Sequence, residues 1–413
     1  MTIYPAIKLL LISPGRLPIP AYEGGAVENL LEIFLEFNEA HQHFEILCAS
    51  ASPLCQEGLA AGFKKTSFLY IKTRSLRFLV KKALFKVVRF FGFGLIEDVY
   101  FQEVLRNLGK KIHDFDLVVI ENTPEYILPL RKVYKGYVIL HLHNNYLYQK
   151  THLNEEIIRS FDEIYGVSDF ILSQLQNRID SQRMHLLYNG IKVGKFNPKN
   201  PLEDCRYSRA SLNIRPDEFV ILYAGRVAES KGIMLLIDAF KKLAKIYPAR
   251  LIIAGAPAFK NSSDDDCMVG ARALAADLAD RVIFLGYVDY DAMPSVYRIA
   301  DIGVVPSLQP EGFGLTALEH LAAGNPVATT GLGGLSEVID CATGYLLPIA
   351  SDAFIDKFVA IIGHLYENPE LQKSMSRLAI ARAERFSDSI YSQRFKSLLQ
   401  ESFARAVAKK RHI

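Results

Sequence analysis

The chain has 413 residues, half of them apolar and 23% charged, with a formal net charge of +3. That length exceeds what one hydrophobic core organises, so two domains are expected, and the composition excludes a disordered chain. So small a net charge gives no reason to expect nucleic acid as a partner. Five cysteines, at 48, 55, 205, 267 and 341, are scattered without a CxxC pair. That excludes a disulfide framework and a thiolate zinc site, and it suits a reducing compartment. No apolar run approaches the roughly 18–20 residues of a membrane span.

In chain order, "IKLLLIS" is expected as a first buried strand rather than a leader, followed by a helix in "GGAVENLLEIFLEFNEA" and a strand in "HFEILCA". From Lys64 to Arg89 there are nine Lys and Arg and no acid. If 74–90 is helical, Arg74, Arg77, Lys81, Lys82, Lys86 and Arg89 share one half of the circumference. Leu76, Leu79, Val80, Ala83 and Val87 lie opposite. The pattern fits a helix on an anionic membrane surface, with 64–94 as the contact, and equally an amphipathic helix packed on its own sheet. "HDFDLVVIE" holds Asp114 and Asp116 before a strand, the wrong end for a ligand site in a doubly wound sheet, so a plain loop is expected there. "GYVILHLHNNYLYQK" ends a strand on His141 and His143, which would face the same way if the extended conformation persists.

A polar, proline-bearing stretch near 189–217 reads as a linker. A second alternating series follows: "FVILYAGRV", "MLLIDAFKKLAKIYP", "ARLIIAGA", "RVIFLGYV", "ADIGVVPS" and "PVATT". Strands alternating with helices predict parallel sheets. The expected architecture is α/β, with two doubly wound Rossmann-like domains facing a central cleft and ligands at the carboxyl ends of the strands. The expected domains are 1–188, 189–385 and a terminal helical segment 386–413 that could pack on either domain. "SSDDDCM", at 262–268, reads as a solvated surface loop.

Two segments of the second series carry chemistry. In "LYAGRVAESKGIMLLIDAF" a strand ends at Gly225, and Arg226 and Lys231 lie in the loop before a helix, a plausible diphosphate site. Alone, the segment fits a solvated loop with a capping glycine equally well. In "PSLQPEGFGLTALEHLAAGNPV", Gly312 and Gly314 allow close backbone approach, and Leu315–Ala323 reads as helix. Glu311 lies in the loop and Glu319 within that helix, where an apolar, alanine-rich setting invites a partner for its charge.

The order "AGRVAESKG", "VVPSLQPEGFGLTALEHLAAGNPV", "GLGGLSEVI" resembles the retaining nucleotide-sugar glycosyltransferases of family 4, of GT-B fold and bacterial cell-envelope polysaccharide type. Glu311 and Glu319 meet the family's E-x7-E pattern, and Gly225, Arg226, Lys231 and Gly232 its GR…KG pattern. "EGGAVENLL", with Gly24 and Gly25, resembles the family's first glycine-rich loop. "HLLYNGIKVGKFNP" resembles the entry into its second domain, although Lys192 stands where the family often has an acid. The likeness is weak between about residues 50 and 115.

The resemblance implies that Arg226 and Lys231 neutralise a leaving diphosphate, while Gly24, Gly25 and the Gly312, Phe313, Gly314 and Leu315 backbone contact the donor. It further implies that Glu319 holds ribose hydroxyls, Glu311 the transferred sugar, and Tyr287 flanks the base. A histidine at the strand end would line the site near that sugar, and alignment favours His143 over His141. No metal and no bound cofactor are implied. The implied substrates are a UDP-linked hexose or N-acetylhexosamine and a polysaccharide or lipid-linked oligosaccharide acceptor. The expected location is cytoplasmic or peripheral on the inner face of the cell membrane. A dinucleotide-dependent oxidoreductase is disfavoured because GxGxxG does not follow the first strand. A non-catalytic sugar-nucleotide or membrane-binding protein on the same scaffold is the alternative reading.

Overall fold

The computed structural model describes residues 6–52, 62–90, 98–257, 266–278 and 280–411. The chain divides into two compact units, Met1–Gly190 with Asp388–Ile413, and Ile191–Ser387.

The first unit is built on β1 (Ile7–Ile12), β2 (Phe44–Ala51), β3 (Thr66–Ile71), β4 (Leu117–Glu121), β5 (Tyr137–Leu142), β6 (Glu163–Gly166) and β7 (Met184–Leu186), in the order β3-β2-β1-β4-β5-β6-β7. The second is built on β8 (Phe219–Ala224), β9 (Ala249–Ala254), β10 (Val282–Gly286), β11 (Ile302–Val305), β12 (Val327–Thr329) and β13 (Gly344–Leu346), in the order β10-β9-β8-β11-β12-β13. The described pairings are all parallel. Strands such as "LVVIE" of β4 and "FVILYA" of β8 are buried along their whole length, as parallel sheets covered on both faces require. Each sheet reverses its strand order beside its first strand, between β1 and β4 and between β8 and β11. Loops diverge there, and ligands of doubly wound sheets settle in the opening.

Several expectations need revision. The stretch expected as a linker falls in the second unit from Ile191 onward and is anchored there at a few points. Phe196 is fully buried, and Arg209 donates to Asp301 at 2.7 Å and to the Glu218 carbonyl at 3.1 Å. Within "SSDDDCM", residues 262–265 lie outside the described residues, while Asp266 opens the helix Asp266–Leu274 and Met268 is buried, so that end is no solvated loop. Asp116 accepts from the Lys8 backbone N–H at 3.0 Å, which gives this acid a structural duty at the start of the sheet.

The basic stretch does contain a helix, Leu76–Phe90, but of its described apolar side chains only Phe78 is buried. Leu76 is 78% exposed and Leu84 60%, with Leu79 and Val80 exposed as well. Arg74 pairs with Glu23 and Lys81 with Glu103. The side chains of Lys86, Val87 and Arg89, and residues 91–94, lie outside those described.

The terminal helix Asp388–Arg411 belongs to the first unit. Phe395 is fully buried with its ring 4.4 Å from that of Phe34, and Tyr391, Leu398 and Leu399 join the same core. Its polar anchor is Glu163, the first residue of β6, which accepts from Ser402, Arg405 and, at 2.8 Å, Tyr137. Burial alone would raise the Glu163 carboxyl, but hydrogen bonds from His185, Arg405, Ser402 and Tyr137 hold it down at about 2. Replacing Phe395 by Ala is expected to destabilise the first unit by about 3–5 kcal/mol in urea unfolding followed by probes in that unit. A loss below about 1 kcal/mol would contradict this packing.

Candidate active site

In the second unit, the loops after β8 and β11 hold most of the residues that the sequence singles out. Arg226 follows Gly225 at the end of β8 and is exposed. Among the described residues its side chain has no hydrogen bond or ion pair. Lys231 ends the 3-10 turn Glu229–Lys231, and Gly232 leads into the helix Ile233–Leu243. Gly232 has φ 71°, and a Cβ there would lie 2.1 Å from the Pro306 carbonyl oxygen. Only glycine lets the β11 loop pass so close. The Leu308 N–H donates to the Ser230 carbonyl at 2.9 Å across the same gap, locking the two loops together.

That contact brings Lys231 Nζ onto Glu311 Oε1, where Ser307 also donates. Both charged side chains are partly exposed. The Glu311 backbone is held by a third loop, which follows β12. Glu311 N–H donates to the Leu332 carbonyl at 3.2 Å, and Gly334 N–H to the Glu311 carbonyl at 2.9 Å. Gly333 has φ 69°, and a Cβ there would meet the Glu311 carbonyl oxygen at 2.3 Å. The "GLGG" turn is therefore a cradle for the Glu311 main chain.

Past Glu311, Gly312 and Gly314 are half-buried, Phe313 is buried against Phe386, and Gly314 caps the helix Leu315–Ala322. Leu315 opens the helix, so free N–H groups and the positive end of its dipole lie at this loop. Glu319 is buried in the helix, and its Oε2 accepts from Tyr297 Oη at 2.6 Å. Burial raises the Glu319 carboxyl to about 7, against the opposing pull of Tyr297, Lys195 and Tyr290. Sequence reasoning anticipated a partner for Glu319, and Tyr297, which it had not named, supplies it. Tyr287 stands half-buried just past the end of β10.

The first unit holds a separate constellation at its own reversal of strand order. Gly25, with φ 105°, precedes the helix Ala26–His41, and Gly24 donates to the Ala21 carbonyl at 2.8 Å. Glu28, in the first turn of that helix, is raised to about 7 by burial, against backbone N–H groups of Glu28 and Leu17 that favour its charge. His141 is fully buried, and His143 lies just past the end of β5 with its ring largely covered. Both rings contact one carboxylate, Glu121 Oε2, from His141 Nδ1 and His143 Nε2, each at 3.0 Å. These three side chains offer ligand atoms within 4.8 Å of one another, so they could hold a metal ion. The sequence reading did not single out Glu121. The one signal for it was an acid ending an otherwise apolar strand.

Residues 206–382 match the family model of glycosyl transferases group 1. The chain is 37% identical over 158 residues to an uncharacterized glycosyltransferase of Methanocaldococcus jannaschii, covering 38% of each chain. It is 30% identical over 267 residues to the lipopolysaccharide 1,2-N-acetylglucosaminetransferase of Salmonella typhimurium, covering 62% of this chain and 66% of that one. The aligned part thus spans less than two thirds of either relative. Among solved structures, Anabaena HepE in complex with UDP and glucose superposes with a TM-score of 0.71 at 18% identity, over 96% of this chain and 100% of that one. At that identity the likeness speaks for the fold. Residues 206–382 thus resemble the glycosyl transferases group 1 family, in a chain of two Rossmann-like units with the GT-B fold.

Proposed function

We propose that the chain is a retaining glycosyltransferase of the family 4 type. It moves a hexose or N-acetylhexosamine from a UDP-linked sugar to a polysaccharide or lipid-linked oligosaccharide of the cell envelope. The observation that carries this reading is the Lys231–Glu311 pair, formed where the loops after β8 and β11 meet beside the exposed Arg226. A cation and a hydroxyl-binding carboxylate side by side suit the junction between a diphosphate and a sugar. The names of the relatives, glycosyltransferases both, support the reaction class.

In this mechanism Lys231 releases Glu311 when donor binds and turns to the diphosphate, joined by Arg226 and by the N–H groups of Gly314 and Leu315. These groups absorb the negative charge that develops as the anomeric bond breaks, a role that needs no metal. Glu311, freed of Lys231, accepts from hydroxyls of the departing sugar. Glu319 keeps its bond to Tyr297 and accepts ribose hydroxyls on its remaining lone pairs, since a carboxylate offers about four. Tyr287 flanks the base. The acceptor hydroxyl attacks from the side the diphosphate leaves, and a phosphate oxygen takes its proton.

The test is a panel of UDP-, GDP- and ADP-linked sugars, with released nucleotide measured by chromatography. Slow hydrolysis of a UDP-linked sugar is expected. Binding without any release would favour a non-catalytic sugar-nucleotide protein, and neither binding nor release would contradict the proposal. Lys231→Ala and Glu319→Ala should each weaken donor binding in calorimetry and cut turnover more than tenfold, at least ~1.4 kcal/mol of transition-state stabilisation.

Ribose hydroxyls donate to a carboxylate, so the donor binds the ionised form of Glu319. With that carboxyl at about 7 in the free protein, donor binding must expel a proton at lower pH. The donor Kd should therefore rise as pH falls below 7, by up to about tenfold per unit, and level off above about 8. Glu319→Gln should flatten that dependence, and a slope that survives the substitution would rule Glu319 out as its source.

The same proposal places the helix Leu76–Phe90 on an anionic membrane surface, where a lipid-linked acceptor is found. Support comes from Leu76, Leu79, Val80 and Leu84, exposed on a helix that also carries Arg77 and Lys82. Replacing Arg77, Lys81, Lys82 and Lys86 by Gln should reduce flotation with phosphatidylserine-containing vesicles, most at low salt. Unchanged flotation at low salt would make the stretch structural.

A further inference from the structure

Glu121 is the buried charge that the donor chemistry leaves unexplained. It ends β4, pairs in register with His141 of β5, and is 1% exposed. A carboxylate there is costly unless every contact supports it. Its Oε2 sits 3.0 Å from His143 Nε2 and 3.0 Å from His141 Nδ1. Only the His143 contact is a hydrogen bond, and since an ionised carboxylate has no proton to give, the His143 imidazole must be its donor, while His141 Nδ1 lies close without one. The next residue fixes the backbone of the same pair. Asn122 adopts φ 54°, its N–H donates to the His141 carbonyl at 2.9 Å, and its Oδ1 accepts from the His143 N–H at 3.1 Å. Both the ring and the main chain of His143 are therefore held from the end of β4.

We infer that Glu121 is a positioning residue for His143, pinning the ring with its proton on Nε2 so that Nδ1 is left as a hydrogen-bond acceptor for a sugar hydroxyl. The inference rests on the glycosyltransferase reading above. A neutral ring has one lone pair, and the nitrogen that keeps it is set by the hydrogen bond at the other. A divalent metal bound through His143 Nε2 would need the lone pair at the nitrogen that here carries the proton, so that mode of binding and the positioning role exclude one another.

The test uses full-length protein labelled with 15N-histidine. Long-range 1H–15N spectra of the wild type should show His143 as the Nε2–H tautomer, and Glu121→Gln should give mixed tautomers. With a UDP-linked sugar that the wild type hydrolyses, Glu121→Gln should lower kcat at least tenfold and leave the donor KM within about twofold, and Glu121→Asp should recover part of the loss. A wild-type ring protonated on Nδ1, one equivalent of metal in the purified wild type that Glu121→Gln loses, or wild-type kcat in Glu121→Gln would each overturn the inference. If the wild type turns over no donor, the proposed function fails, while the tautomer spectrum still decides the role of Glu121.

Discussion

The ion pair between Lys231 and Glu311 is the contact on which the candidate donor site depends. It joins loops from β8 and β11, strands adjacent in the sheet but far apart in the chain. It exists because Gly232 lets the Pro306 carbonyl pass and because Gly333 and Gly334 cradle the Glu311 backbone. Partly exposed pairs of this kind contribute only about 0–1 kcal/mol to stability. That weakness suits a site whose charges are to be exchanged for a ligand's. Each partner neutralises the other until a diphosphate and a set of hydroxyls offer better terms.

The two units share the strand pattern around their first strand, and each carries its charged cluster beside the reversal, Glu121 at the end of β4 in the first and Lys231 and Glu311 in the loops after β8 and β11 in the second. The clusters differ in burial. Glu311 and Lys231 face partly into solvent, whereas Glu121 and His141 are sealed. A sealed carboxylate hydrogen-bonded to His143 and packed against His141 fixes geometry, and an open pair can rearrange. Donor exchange is thus assigned to the second unit and fixed orientation to the first.

Some of this was legible in the sequence and some was not. The alternation of apolar strands with helices announced both parallel sheets. Of the four residues the motifs singled out, Glu311, Glu319, Arg226 and Lys231, the structure joins Lys231 to Glu311, while Glu319 bonds Tyr297 instead. Periodicity also placed a helix near 74–90 and identified its apolar residues, but it could not tell what covers them, and most are exposed. It left open which unit the last helix joins, a question answered by Phe395 against Phe34 and by Glu163 beneath Arg405. Glu121 was missed because its meaning lies in register: only the pairing of β4 with β5 sets it beside His141 and His143. Tyr297 was missed likewise, as it reaches Glu319 from a different helix, 22 residues earlier in the chain.

The central claim is that Lys231 and Glu311 part to receive a nucleotide diphosphate. A crystal structure of the protein grown with UDP tests it most directly. The account predicts diphosphate oxygens at about 3 Å from Lys231 Nζ and from the Arg226 guanidinium, with Lys231 withdrawn from Glu311. UDP bound elsewhere, with the Lys231–Glu311 pair intact, would contradict it.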